Sequence, residues 1–295
     1  MEEAQLLAAG SVGVGLVVFG LKAVAAAVTG SAALYSDAAE SLVNVAAGAI
    51  AFLALRLAAV PPDANHPYGH EKAEFFSAVI EGVLIVLAAL AILRQAWTVF
   101  KHPEPFATPL LGVVLNVVST ILMGGWGMLL LRRGRALRSP ALAADGRHLM
   151  ADVVNSGGVL VGVVLVLATG VQWIDPLVAA LTAAYILLSG GLLIQSSVGG
   201  LMDAAPAPDI VERIRAVVAQ TAEGAIEAHD LRTRHAGRLT FLEFHLVVPG
   251  QMTVADAHGI CDRVEAALRA EMEGLRITIH VEPEGKAKHR GVIVL

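Results

Sequence analysis

Charge is what this sequence has least of. Only 16% of its 295 residues are charged, against roughly a quarter in a soluble domain, and the mean hydropathy is +0.68. That shortage excludes an ordinary soluble globule and points to a chain that crosses a membrane several times. Cysteine is missing except for Cys261, which excludes an intramolecular disulfide and any CxxC metal site. A net charge of −5 leaves no basic surface for nucleic acid. The opening stretch, MEEAQLLAAG, lacks the basic segment of a cleaved signal peptide, so Met1 is expected in the mature protein.

Long apolar runs are what the chain does have. A helix needs about 20 apolar residues to cross a bilayer, and six runs qualify, at roughly 6–29, 33–60, 73–98, 107–131, 141–169 and 174–201. Gly30, Pro61, Pro62, Pro103, Pro105 and Pro140 punctuate them. An even number of spans puts both termini on one side. Arg56, Lys72, Arg132, Arg133, Arg135, Arg138 and Arg147 flank the second-to-third and fourth-to-fifth connections, whereas the opposite connections hold only Lys101, with Arg94 nearby. The positive-inside rule therefore sets both termini in the cytoplasm, with the cell (inner) membrane the expected location.

Composition changes near residue 203. After APAPD come an amphipathic helix, two strands around a glycine turn, a second helix opened by Thr253, and an alternating strand, LRITIHVEP. Residues 1–203 are thus expected to form a six-helix transmembrane domain and 204–284 a cytoplasmic α+β domain. Residues 285–295 are expected to be a loose tail.

Two of the apolar runs carry polar ladders. DAAESLVN places Asp37, Glu40 and Asn44 at i, i+3 and i+7; DGRHLMAD places Asp145, His148 and Asp152 likewise. Such spacing lines one helical face, and ionisable groups inside a span are functional candidates. If the two antiparallel helices pack together, Glu40, Asn44, His148 and Asp152 converge as four ligands. One imidazole among oxygen donors suits a borderline to hard divalent transition metal. Measured from the outer helix ends, the ladders differ in depth by about 10 Å, an offset that packing must absorb. The alternative is that these groups only bond helices to one another. Lys22 is expected to snorkel or pair locally, and Asn116 and Asn155 to serve helix packing.

Several separated stretches together resemble the cation diffusion facilitator family. GSAALYSDAAESLVN is similar to its second helix, HLMAD to the HxxxD of its fifth, and HPYGHEKAE to the segment after its second. HDLRTR and IHVEP resemble its cytoplasmic domain. The resemblance covers nearly the whole chain. It implies an α-helical membrane protein with six transmembrane helices and a C-terminal α+β ferredoxin-like cytoplasmic domain, assembled as a homodimer among membrane lipids. The implied activity is export of a divalent metal (Zn²⁺, Fe²⁺ or Mn²⁺) in exchange for protons, with no covalent chemistry and hence no enzyme.

Residue by residue, the resemblance makes Glu40, Asn44, His148 and Asp152 the transport site. Asp63, His66 and His70 become a site in the connection between helices two and three. There, Pro67 and Gly69 make a turn the expected backbone. His229, His245, His258, His280 and Glu282 become a cytoplasmic site. The family more often carries Asp or His at the place of Glu40, and Asp at the places of Asn44 and Glu282. A membrane-anchored metal sensor or partner-binding protein is the competing class, although an anchor needs no ligand ladder inside the membrane.

Overall fold

The computed structural model describes residues 1–29, 32–102, 110–289 and 291–293. Gly30, Pro103 and Pro105 lie outside the described residues, as does the side chain of Asp37. The chain divides into two units, Met1–Val198 and Gly199–Leu295.

Six helices make up the first unit: α1 (Glu2–Thr29), α2 (Ala32–Ala58), α3 (Ala73–Lys101), α4 (Leu110–Ala136), α5 (Pro140–Thr169) and α6 (Ile174–Leu201). All six are long and apolar enough to cross a membrane. The boundaries follow local chemistry. Pro61 and Pro62 stand just beyond the end of α2. Pro140 opens α5, where its missing N–H loses no helical bond. Ser139 caps that helix by accepting the Leu142 N–H at 3.3 Å. The same hydroxyl donates to the buried Glu74 carboxylate at the start of α3, so one residue stops the α4–α5 turn and ties it to a third helix. Gly170, left-handed at φ 71°, ends α5.

Without a hydrophobic drive between helices in lipid, close approach depends on small residues. At the α4–α5 crossing, a Cβ on Gly134 would stand 2.8 Å from the Ala143 backbone nitrogen, and one on Gly146 would stand 2.9 Å from that of Leu131. Ala8, Ala51, Leu55, Met123, Leu130, Leu142 and Leu149 fill the core among α1, α2, α4 and α5. Ala78, Ile85, Ala144, Ile186 and Leu193 fill a second core among α3, α5 and α6.

The second unit contains α7 (Pro208–Thr221), β1 (Glu227–Ala236), β2 (Leu239–Val248), α8 (Val254–Glu271), β3 (Leu275–Pro283) and β4 (Val292–Ile293). The sheet order is β3-β2-β1-β4. β2 runs antiparallel to β1 and parallel to β3, with α8 as the crossover. Ile214 and Val218 of α7 and Ile260, Val264 and Leu268 of α8 bury Leu242, Phe244 and Leu246. Alternation along β2 therefore leaves Glu243 and His245 on the sheet's other face.

The tail is where the structure departs from expectation. Val292 and Ile293 pair with Glu227 and Ala228 of β1. The buried Glu227 carboxylate accepts the backbone N–H groups of Lys288 and His289, each at 3.0 Å, and of Gly291 at 2.8 Å. A carboxylate taken out of water needs such donors, and the tail supplies them, so it is held rather than loose.

The close α4–α5 crossing leads to a prediction. Gly134→Val should destabilise the first unit by about 1–3 kcal/mol, because backbone at 2.8 Å cannot yield cheaply. Gly13→Ala, whose Cβ would meet nothing within 4 Å, should leave the melting temperature in detergent unchanged or slightly raised.

Candidate metal sites

Helices α2 and α5 meet through one amide. Asn44 Nδ2 donates to Asp152 Oδ2 at 2.5 Å, and Asn44 Oδ1 lies 2.9 Å from His148 Nε2. The amide oxygen can only accept, so that imidazole carries its proton on Nε2. His148 Nδ1 is buried and makes no hydrogen bond. The two ladders thus meet in space, and helix packing absorbs the expected offset in depth. Asn44, Asp152 and Glu40 line a polar cavity of about 130 Å³ together with Lys22 and amides and hydroxyls such as Asn116, Asn155 and Ser119. With liquid water occupying about 30 Å³ per molecule, the volume admits an ion and a few waters.

Not every ladder member joins this cluster. His148 reaches the cavity only through Asn44, and Glu40 forms no tight acid–imidazole group with His148 and Asp152. Asp145 does not line the cavity. It is buried with a bare Oδ2, as is Glu81 on α3 with a bare Oε2, while the other Glu81 oxygen accepts from Ser77 at 3.3 Å. Lys22, expected to snorkel or to pair locally, is only 8% exposed and lies among the helices, so of the two readings the structure leaves the local one. Asn116 and Asn155, expected to serve packing, also line the cavity. A lone polar residue in an apolar run carries no pattern, which is why the sequence gives these three a local role rather than a place on the cavity.

The connection between α2 and α3 forms a compact turn, with Gly69 at φ 93°, rather than a helix. Asp63 Oδ1 accepts the backbone N–H groups of Asn65 at 2.8 Å and His66 at 2.7 Å. Chiefly for the second of these reasons its carboxyl sits below the usual carboxylate range. His70 Nε2 lies 3.1 Å from His66 Nδ1 and 3.5 Å from Asp63 Oδ2. All three residues offer a ligand atom within 4.8 Å of the others.

In the second unit, strand register does the positioning. His229 stands opposite His245, and His245 opposite His280, so three imidazoles form a row across β1, β2 and β3. Glu282, two residues from His280 and on the same face, lies 3.3 Å from His229 Nε2, 3.3 Å from His245 Nδ1 and 3.7 Å from His280 Nε2. Both ring nitrogens of His229 are buried without a hydrogen bond, an arrangement whose chemistry fits coordination of a cation. His258 is not brought to this row. It belongs to α8, which packs on the other face of the sheet, and at 74% exposed it pairs with Asp262 at 3.7 Å. Sequence reasoning missed Asp230, whose carboxylate groups with His229 and His245. Strict alternation would turn it away, but a bulge between His229 and Arg232, with Asp230 at φ 54°, swings it back. A hydrogen bond from Lys288, at 2.6 Å, is the main cause holding its carboxyl below the usual range.

Comparison with known proteins follows the same division. Residues 9–202 match the family model described as a cation efflux transmembrane domain, and residues 206–284 match that of a cation efflux protein's cytoplasmic domain. An uncharacterized transporter of Synechocystis is 41% identical over 273 residues, covering 92% of this chain and 88% of the relative. The cation-efflux pump FieF of Shewanella oneidensis is 32% identical over 279 residues, covering 95% and 94%. A solved zinc-form structure of CzrB is 53% identical over 29% of this chain and 98% of its own, with a TM-score of 0.28.

The histidine row generates a test. Metal at 100 times its Kd should stabilise the second unit by about 2.7 kcal/mol, seen as a rise in melting temperature on adding Zn²⁺. His245→Ala combined with His280→Ala should remove most of that rise and leave metal flux measurable. A full Zn²⁺-induced rise in the double variant would dismiss the row as a metal site.

Proposed function

This chain belongs to the cation efflux family, also called the cation diffusion facilitator family, and on that premise we propose that it exports a divalent transition metal from the cytoplasm in exchange for protons. Membership itself makes the chain a multi-pass membrane transporter of metal cations and not an enzyme. The finer reading is that Glu40, Asn44, His148 and Asp152 carry the ion, that Zn²⁺, Fe²⁺ or Mn²⁺ is the substrate, and that the chain works as a homodimer in the inner membrane with both termini cytoplasmic.

One observation supports it above the others: a single amide joins an imidazole and a carboxylate inside the apolar bundle, beside a polar cavity. Metal ligands must be deprotonated. An ion entering from the cytoplasm is therefore held by the Asn44 oxygen together with His148 and a carboxylate once those two have given up their protons. When the bundle turns the site outward, protons return to His148 and the carboxylate and the metal leaves, while the Asn44 amide only changes hydrogen-bond partners. The carboxylates make a desolvated dication tolerable, which neutral helix packing alone does not require. The histidine row and the Asp63 turn are read as sites that stabilise or regulate.

A sensor anchored by its helices would use the histidine row alone. Flux decides between the two. In proteoliposomes assayed with Zn²⁺, Fe²⁺ and Mn²⁺, the wild type should move at least one of these ions against an imposed proton gradient. Asp152→Ala should cut that flux more than 100-fold, beyond the 10–100-fold typical of residues that only support a ligand. Undiminished flux in Asp152→Ala would sink the site; no flux of any metal in the wild type would favour the sensor.

A further inference from the structure

Lys22 is the one cation among the described residues that line the intramembrane cavity. It lies seven residues before the end of α1, roughly 10 Å along the axis, and Glu40 lies eight residues into α2, roughly 12 Å. Because α1 and α2 pack together and only two residues separate them in the chain, the two side chains sit at one level of the bundle. Lys22 is 8% exposed and so does not reach for the membrane surface as a snorkelling lysine does. The charged groups that α2 and α5 bring to the cavity are the carboxylates Glu40 and Asp152, and the lining from α4, which includes Asn116, Ser119 and Thr120, is neutral.

We propose that the Lys22 ammonium is a tethered competitor of the transported ion. This rests on the transport-site reading above. With no metal in the cavity, the ammonium balances the carboxylates that a dication would otherwise balance. A metal ion must push it aside to bind, so Lys22 holds metal affinity down and release fast. It also sets a charge filter. A tethered cation is present at high effective concentration, so free Na⁺ or K⁺ brings no more charge than the group already there. A divalent ion brings twice the charge and forms ligand bonds that an ammonium cannot form. Lys22 is thereby a specificity-determining residue that selects double charge over single, separately from the ligands that select among divalent metals.

Proteoliposome flux tests this through the split between half-saturation and maximal rate. Lys22→Gln should lower the half-saturating metal concentration roughly 10- to 100-fold, the range neighbours of metal ligands command, and should lower the maximal rate. Lys22→Arg keeps the charge and should stay within about threefold of wild type in half-saturation, inside that neighbour range. Replacing choline chloride by NaCl at equal ionic strength should leave wild-type half-saturation unchanged and raise that of Lys22→Gln. Unchanged or weakened affinity in Lys22→Gln, or the same shift in Lys22→Arg, overturns the proposal. So does Na⁺ inhibition of the wild type, a measurement that needs no variant to fold. If Asp152→Ala transports like wild type, it is instead the transport site that is misplaced.

Discussion

The carboxamide of Asn44 ties together the polar faces of the two helices that carry the ligand ladders. Its N–H group goes to Asp152 and its oxygen to His148, so both ends of one rigid plane are committed. Both bonds lie among apolar helices, where a broken hydrogen bond costs more than in bulk water, and the amide therefore favours one rotation and depth of α2 against α5. The cavity, the placing of Glu40 and the level at which Lys22 enters all depend on that registration. The arrangement is also reversible. Each of its hydrogen bonds uses a lone pair that a metal ion could claim, so on the proposed function the same contacts are the ones an ion would displace.

Much of this was legible in the sequence because it is periodic. The six spans were readable as uninterrupted apolar runs, and the observed helices differ from them mainly at the ends, where Ser139, Pro140 and Gly170 act through local backbone chemistry. The ladders were readable because spacing of three and four residues repeats. The meeting of Asn44 with His148 and Asp152 was a conditional expectation, since spacing fixes a face but not a partner.

What stayed hidden lacks a period. Lys22 is one charge in an apolar run, and only the packing of α1 against α2 and α4 turns it inward. Asp230 is masked by its own bulge, which breaks the alternation a reader relies on. His258 was drawn into the cytoplasmic group by sequence resemblance, yet α8 covers the opposite face of the sheet. The tail read as loose because its composition is polar. Its order comes from Glu227, some sixty residues earlier, whose buried carboxylate is satisfied by tail backbone. In each case the deciding contact is distant in sequence and leaves no local trace.

The charges around the cavity can now be balanced together. Counting only Glu40 and Asp152 as ionised, a dication at the proposed site would leave it neutral, and the neutral Asn44 would be a simple fit. Counting Lys22 as well, the loaded site holds one surplus positive charge, and low dielectric magnifies that imbalance. An aspartate at position 44 would cancel the surplus and deepen the loaded state. Asn44 leaves it in place. On the proposed function, the amide and the ammonium therefore push the same way: both would keep the metal-bound state shallow, one by withholding an anion and the other by supplying a cation. A pump needs that more than it needs tight binding, because an ion held in a deep well is not released. The neutral residue that departs from the commoner pattern is, on this reading, the partner of a lysine on another helix.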